Sequence, residues 1–279
     1  MDYHEPITVN FDRNVSYKLY QDARPNCLEI AQLQKGLVLM LDGKELIEEG
    51  VGFGAPVVLY EDRPYFSRTA ECFLQTEGDR SVLVKKFLLD AVSRKRIGSA
   101  FYVNDGFYKF FHERYHATYV NHKKLTPAFN RLMELRRIFK VNTEFVRVKP
   151  RGTVTVRYTC RPNSIQVEVL LSAIDKDRCK EILILNEQGA SFFRRYSDTD
   201  GVTLVDGQIG AMETVKAKKA SLTNTKGTIS FSLRNMEGTM FFRGREKTRG
   251  RFSWTGLGYM VKPSLTNFKY TIELETRRN

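Results

Sequence analysis

The strongest constraint on this chain's fold is the way turn residues punctuate it. From Ile7 to about Val103, short apolar or alternating runs such as Val15–Tyr20, Gly36–Leu41, Pro56–Glu61 and Ser81–Leu89 are separated by breakers. The breakers fall at Asp42-Gly43, Gly50-Val51-Gly52-Phe53-Gly54 and Glu77-Gly78-Asp79. A strand presents alternate residues to one face, whereas a helix needs apolar residues three and four apart. Short runs closed by turn residues therefore predict neighbouring antiparallel strands. After Val141 the pattern returns in Val146–Val148, Thr153–Thr159, Ser164–Leu171, Glu181–Leu185, Thr228–Leu233, Met240–Arg243, Phe252–Val261 and Phe268–Leu274. Asn163, Gly189, Gly201, Gly207, Gly227 and Gly238 mark turns among them.

The middle of the chain has a different period. Asp105 is a candidate N-cap, and Phe107, Phe110, Phe111, Tyr115 and Tyr119 recur at helical spacing, which predicts a helix over roughly 106–121. A second helix is signalled by Thr126 as N-cap and Pro127 at the first helical position. Phe129, Leu132, Met133, Leu135, Ile138 and Phe139 form its apolar stripe. The expected fold is mainly β: a single domain over 1–279, built as a large antiparallel β-sandwich with an inserted antiparallel helical pair. On this division 1–105 is the first β half, 106–140 the helical pair and 141–279 the second β half. The size and strand number resemble the supersandwich layout of galactose-mutarotase-like and polysaccharide-lyase domains. Fold alone does not fix function.

At 279 residues, with 42% hydrophobic and 28% charged residues, the chain has the composition of a soluble globular protein. Its net charge of +13 points to an anionic partner, whether nucleic acid, an acidic polysaccharide or a phosphorylated ligand. Cys27, Cys72, Cys160 and Cys179 form no C-x-x-C pair, and are expected to be buried thiols in a reducing compartment. The segment M-D-Y-H-E-P-I has neither a basic leader nor an apolar core, and no apolar stretch reaches membrane-spanning length. The expectation is a cytoplasmic protein with no membrane association.

Three segments carry candidate chemistry. The first is H-E-R-Y-H at His112, Glu113, Arg114, Tyr115 and His116. On a helix the two histidines share one face and can reach one zinc ion, leaving Glu113 to activate a bound water. On a strand they would stand about 13 Å apart. With His122 the segment resembles the metzincin proteases over eleven residues, although Tyr119 stands where that family has a glycine. Without a break there, His122 would lie roughly 15 Å along the helix axis from His112. Glu134 on the second helix is the other candidate third ligand, an arrangement that resembles the gluzincin proteases. Arg114 and Lys109 depart from such motif helices.

The second segment, residues 241–254, places Arg243, Arg245, Lys247, Arg249 and Arg251 at every second position. On one continuous strand all five would project from one face at about 6.6 Å intervals. Glu246-Lys247-Thr248-Arg249-Gly250 also reads as a hairpin tip, which would split the row over two strands. Trp254, Phe252 and Tyr259 follow, and aromatic rings beside guanidinium groups suit stacking on sugars or bases. The third segment, 48–56, has glycines at alternate positions without a following helix, so it is a bulged loop rather than a nucleotide fingerprint. Glu48, Glu49 and Glu71 are candidates for the paired carboxylates of glycosidic chemistry. No serine lies in a G-x-S-x-G elbow.

Three functions fit these residues. The first is binding or processing of a carbohydrate, expected to be acidic, through Trp254, Tyr259 and the basic residues of 243–251. The second is a zinc hydrolase using His112, His116, Glu113 and either Glu134 or His122. The third is a non-enzymatic nucleic-acid-binding module.

Overall fold

The computed structural model describes residues 4–11, 14–24, 33–61, 63–77, 80–90, 92–97, 142–248 and 252–277. The chain divides into two compact units, Met1–Ala91 with Lys149–Asn279, and Val92–Val148. The first begins with β1 (Ile7–Asn10), β2 (Val15–Leu19), β3 (Val38–Leu41) and β4 (Lys44–Glu45), joined in that order as a small sheet. There follow β5 (Gly52–Tyr60), β6 (Pro64–Glu77) and β7 (Arg80–Asp90). The second unit contributes β8 (Val92–Ile97), paired antiparallel with β9 (Asn142–Arg147). The helical pair expected at 106–140 lies outside the described residues.

The first unit resumes with β10 (Thr153–Arg161), β11 (Ser164–Leu170), β12 (Cys179–Gln188), β13 (Phe193–Asp198), β14 (Thr203–Val205) and β15 (Glu213–Thr214). It ends with β16 (Lys219–Asn224), β17 (Ile229–Arg234), β18 (Met240–Thr248), β19 (Phe252–Val261) and β20 (Asn267–Thr276). Apart from β1–β4, its strands form one ladder in the order β14-β13-β16-β17-β20-β11-β10-β7-β6-β5-β12-β19-β18-β15. The molecule is thus mainly β, as its sequence pattern predicts.

That ladder folds over at β6. This strand pairs with β7 along nearly its whole length, but with β5 only through Tyr65 opposite Val58 and Pro64 opposite Leu59. Beyond the fold, β5, β12, β19, β18 and β15 make one layer, which packs on the layer holding β10, β11, β17 and β20. The Tyr158 hydroxyl of β10 donates to the Phe53 carbonyl of β5 at 2.9 Å, and the Tyr270 hydroxyl of β20 donates to Asn186 Oδ1 of β12 at 2.8 Å. Phe53 meets Phe231 edge-on at 5.1 Å, and Tyr259 meets Phe268 and Tyr270 at the same distance.

Period-two alternation supplies this core. On β12 the row Ile182, Ile184, Asn186 and Gln188 is buried, and the intervening row is only partly so. On β10 the buried row is Val154, Val156 and Tyr158. The segment expected to be a bulged loop is instead built into a strand: Gly52 and Gly54 open β5 at φ +80° and +74°. A register shift against β12 falls opposite them, between Leu185 and Asn186. Only glycine takes this conformation without strain, and at Gly54 a Cβ would also lie 3.0 Å from the Tyr158 ring.

Candidate functional site

Strand alternation decides which side each residue of β18 and β19 faces. Tyr259 is fully buried between the layers and stacks on Phe241, so Arg243, Arg245 and Lys247 share the inner face, opposite Leu257, Thr255 and Ser253. Trp254, Gly256 and Gly258 lie on the outer face, opposite Glu246, Gly244 and Phe242. The expected combination of Trp254 with the basic row is therefore split between the two sides of the sheet. Thr248 of β18 pairs with Phe252 of β19, so the two strands form a hairpin, but Glu246, Lys247 and Thr248, expected at its tip, belong to β18, as do Arg243 and Arg245. Arg249 and Arg251 lie outside the described residues.

On the inner side the basic residues are engaged by protein. Arg243 donates from Nε to the Ile209 carbonyl at 2.9 Å and lies 4.9 Å from the Tyr196 ring centroid. Arg245 donates to the Ala190 carbonyl and pairs with Asp206, each at 3.0 Å, with only 6% of its side chain exposed. Lys247 donates to Ser191 Oγ at 2.8 Å. A hydrogen bond from Arg194 holds Asp206 below the usual carboxylate range, against some desolvation and with the Arg245 charge assisting. These contacts fasten residues 189–191 and 206–209 to β18. Tyr259 also belongs to the frame, since its hydroxyl donates to the Arg234 carbonyl at 2.6 Å. It is not available to a ligand.

The outer side of β12, β19 and β18 carries a different arrangement, centred on Glu187. This residue sits opposite Gly52 of β5 and Gly256 of β19. The absent side chain of Gly256 leaves room for it, because a Cβ there would lie 2.9 Å from Glu187 Cγ. Gly244 does the same for Trp254, whose ring would meet a Cβ at 2.7 Å. Two glycines side by side thus let a carboxyl and an indole lie across neighbouring strands. Trp254 and Glu187 are both half-buried.

The Val51 amide donates to Glu187 Oε2 at 3.1 Å. Burial nevertheless dominates and pushes the Glu187 carboxyl up to about 7; the Val51 amide and the Lys35 charge oppose the rise, and the Glu246 charge adds to it. A carboxyl that exchanges its proton near neutrality can act as acid or base. Gly256→Ala is expected to displace Glu187, since the new Cβ would also meet the Asn186 carbonyl at 2.6 Å. Its titration midpoint, followed by carbon NMR of the carboxyl, should fall from about 7 towards 4.5. A midpoint still near 7 would contradict this account.

The three other glutamates singled out in the sequence do not assemble as a set. Glu48 accepts from the Ser191 amide at 3.0 Å and from the Ser253 hydroxyl. Burial opposes its ionisation, but those hydrogen bonds and the Lys247 charge hold it below the usual range. Glu49 donates its backbone amide to the Ser253 carbonyl at 3.3 Å. Glu71 lies exposed on β6, 3.8 Å from Lys86. The residue of this type that matters, Glu187, is the second of the run N-E-Q-G where β12 ends, and it matches no motif.

His112, Glu113, His116, His122 and Glu134 lie outside the described residues. Among the described residues no cluster of histidine, cysteine, aspartate and glutamate could hold a metal ion. None of their helices is long and apolar enough to cross a membrane. Cys72, Cys160 and Cys179 are free and partly buried.

No family model matches the chain, and no curated protein is similar to it in sequence. Solved structures do resemble it. An alpha-N-acetylgalactosaminidase, NagBb from Bifidobacterium bifidum, in complex with GalNAc, aligns at 10% identity over 97% of this chain and 36% of that one, with a TM-score of 0.49. A variant of a glycoside hydrolase family 97 enzyme from Pseudoalteromonas aligns at 11% identity over 94% of this chain and 34% of that one, with a TM-score of 0.41. A galactose mutarotase-like protein from Lactobacillus casei aligns at 9% identity over 98% of this chain and 100% of that one, with a TM-score of 0.39. The chain spans about a third of the length of the first two.

Proposed function

We propose that this protein binds a carbohydrate on the outer face of β12, β19 and β18, with the sugar ring against Trp254 and its hydroxyls on Glu187. The observation that carries this is the pairing of a half-buried indole with a desolvated carboxyl, each laid over a glycine of the adjacent strand. The C–H face of a pyranose is apolar and packs on an aromatic ring, while its hydroxyls both donate to and accept from a carboxyl. Few convergent polar groups beside an apolar platform are what small-molecule recognition needs. Processing would use Glu187 as the proton-transfer group, because its midpoint lies near working pH.

The sugar on this reading is neutral rather than acidic. The outer face carries the carboxylates of Glu187 and Glu246. Arg243, Arg245 and Lys247, which motivated a polyanion, face the other way and are engaged by protein. The nucleic-acid alternative rests on net charge alone and predicts binding that weakens steeply with salt.

Trp254 is the chain's single tryptophan, so intrinsic fluorescence reports directly on the proposed site. Titration with neutral mono- and oligosaccharides should give a saturable emission change, with no comparable change from uronate oligomers or single-stranded DNA. Calorimetry on Trp254→Ala should show affinity reduced roughly tenfold or more, a loss of about 1.4 kcal/mol. Binding that survives Trp254→Ala and Glu187→Gln together would sink the proposal.

A further inference from the structure

Lys85 is fully buried on β7, an uncommon place for an amine. Its Nζ donates to the Tyr20 carbonyl at 2.7 Å and the Lys35 carbonyl at 2.8 Å, and lies 5.3 Å from the Phe87 ring centroid. Cys72 of β6 stands directly opposite it in the ladder. Cross-strand partners have their Cβ atoms about 4.5–5.5 Å apart. The Cys72 thiol reaches the same Tyr20 oxygen at 3.4 Å, so sulfur and nitrogen converge on one acceptor. Cys72 keeps part of its surface in solvent, whereas Lys85 keeps none. Of the two residues, Cys72 is the one nearer solvent.

We propose that Cys72 and Lys85 are a modification site, at which a hydroperoxide drives formation of a covalent sulfur–nitrogen link between strands β6 and β7. In the first step the Cys72 sulfur takes an oxygen from the peroxide, whose O–O bond breaks, giving a sulfenic acid and releasing an alcohol or water. In the second, the lone pair of the neutral Lys85 amine forms the N–S bond, the S–O bond breaks, and the departing hydroxide takes a proton from nitrogen and leaves as water. Sulfur is oxidised and the peroxide is reduced. Condensation of a sulfenic acid with a neighbouring nitrogen is established chemistry for cysteine.

The surroundings favour the second step. A neutral amine that donates both N–H groups to the Tyr20 and Lys35 carbonyls keeps its lone pair for the Cys72 sulfur. Burial lowers Lys85 to about 8, so a neutral fraction exists near physiological pH. Burial also raises the Cys72 thiol, which slows the first step. The test therefore uses excess peroxide and long exposure.

The wild-type protein, treated with hydrogen peroxide, is analysed by intact and peptide mass spectrometry. The expected product is lighter by two hydrogen masses, contains one joined peptide carrying Cys72 and Lys85, and reverts with dithiothreitol. Cys72→Ser, at a partly exposed position, should fold and give no such species. Lys85→Met should convert Cys72 to its oxygen acids instead, and the wild-type result decides the matter should that variant fail to fold. Oxygen added to Cys72 with Lys85 left free, or an unmodified Cys72, overturns the proposal. None of these outcomes depends on carbohydrate binding.

Discussion

Replacing Asn186 by leucine is expected to lower the free energy of unfolding by roughly 2–6 kcal/mol, at about 1–3 kcal/mol for each donor left unpaired. Asn186 is fully buried, and its Oδ1 accepts from the Gly54 amide at 3.0 Å and the Tyr270 hydroxyl at 2.8 Å. One donor belongs to the neighbouring strand and the other to the facing layer. The leucine fills the space but can accept neither hydrogen bond. Tyr270→Phe removes one of the two donors together with its need, so its cost should be nearer 1 kcal/mol. Urea unfolding of the two variants beside wild type measures the difference. An Asn186→Leu loss no larger than that of Tyr270→Phe would mean that the buried amide is not the junction described above.

Glu187→Gln is expected to stabilise the protein at alkaline pH and leave it unchanged in mild acid. The folded-state midpoint of Glu187 is about 7, against 4.5 without the fold. Between those values the folded state binds a proton that the unfolded state has released, so stability falls as pH rises through the window. Above it the loss is complete, at up to about 3 kcal/mol for a shift of this size. Glutamine carries no charge to desolvate and keeps an acceptor for the Val51 amide. Unfolding midpoints from pH 4 to pH 9 should therefore coincide for the two proteins near 4.5, diverge as pH rises to about 7 and stay apart by a constant margin above it. Parallel curves would remove the basis for treating Glu187 as a neutral-pH proton carrier. The same window should appear in any carbohydrate affinity, since the hydrogen bonds offered by this carboxyl change with its proton.

Both effects depend on strand alternation, and here the sequence was partly legible. The runs at Thr153–Thr159, Ser164–Leu171 and Phe252–Val261 correspond to β10, β11 and β19 nearly end to end. Local pattern suffices there, because a strand buried on one side must place apolar residues at every second position. β6 was harder to see. Its sequence P-Y-F-S-R-T-A-E-C-F-L-Q-T-E shows no clean alternation, and a register shift between Ser67 and Thr69 displaces it further. A strand that leaves one layer and continues into another changes surroundings midway, so one rule cannot describe both halves.

The candidate site was less legible still. That Arg243, Arg245 and Lys247 share one face, and that Trp254 stands beside them in the chain, follows from period two. Which face is inside does not follow: Tyr259 packing on Phe268 and Tyr270 of the opposite layer decides it, and sends the basic row inward and Trp254 outward. Glu187 shows the same limit more sharply. Its character comes from Gly52 and Gly256, more than sixty residues away on either side, which reach it only by pairing with β12. The sequence by itself therefore determined a mainly β protein and the rows into which its side chains fall, because both follow from neighbours a few residues apart. The tertiary structure alone decided which rows are buried and which carboxyl loses its water, because desolvation depends on strands brought together from distant parts of the chain.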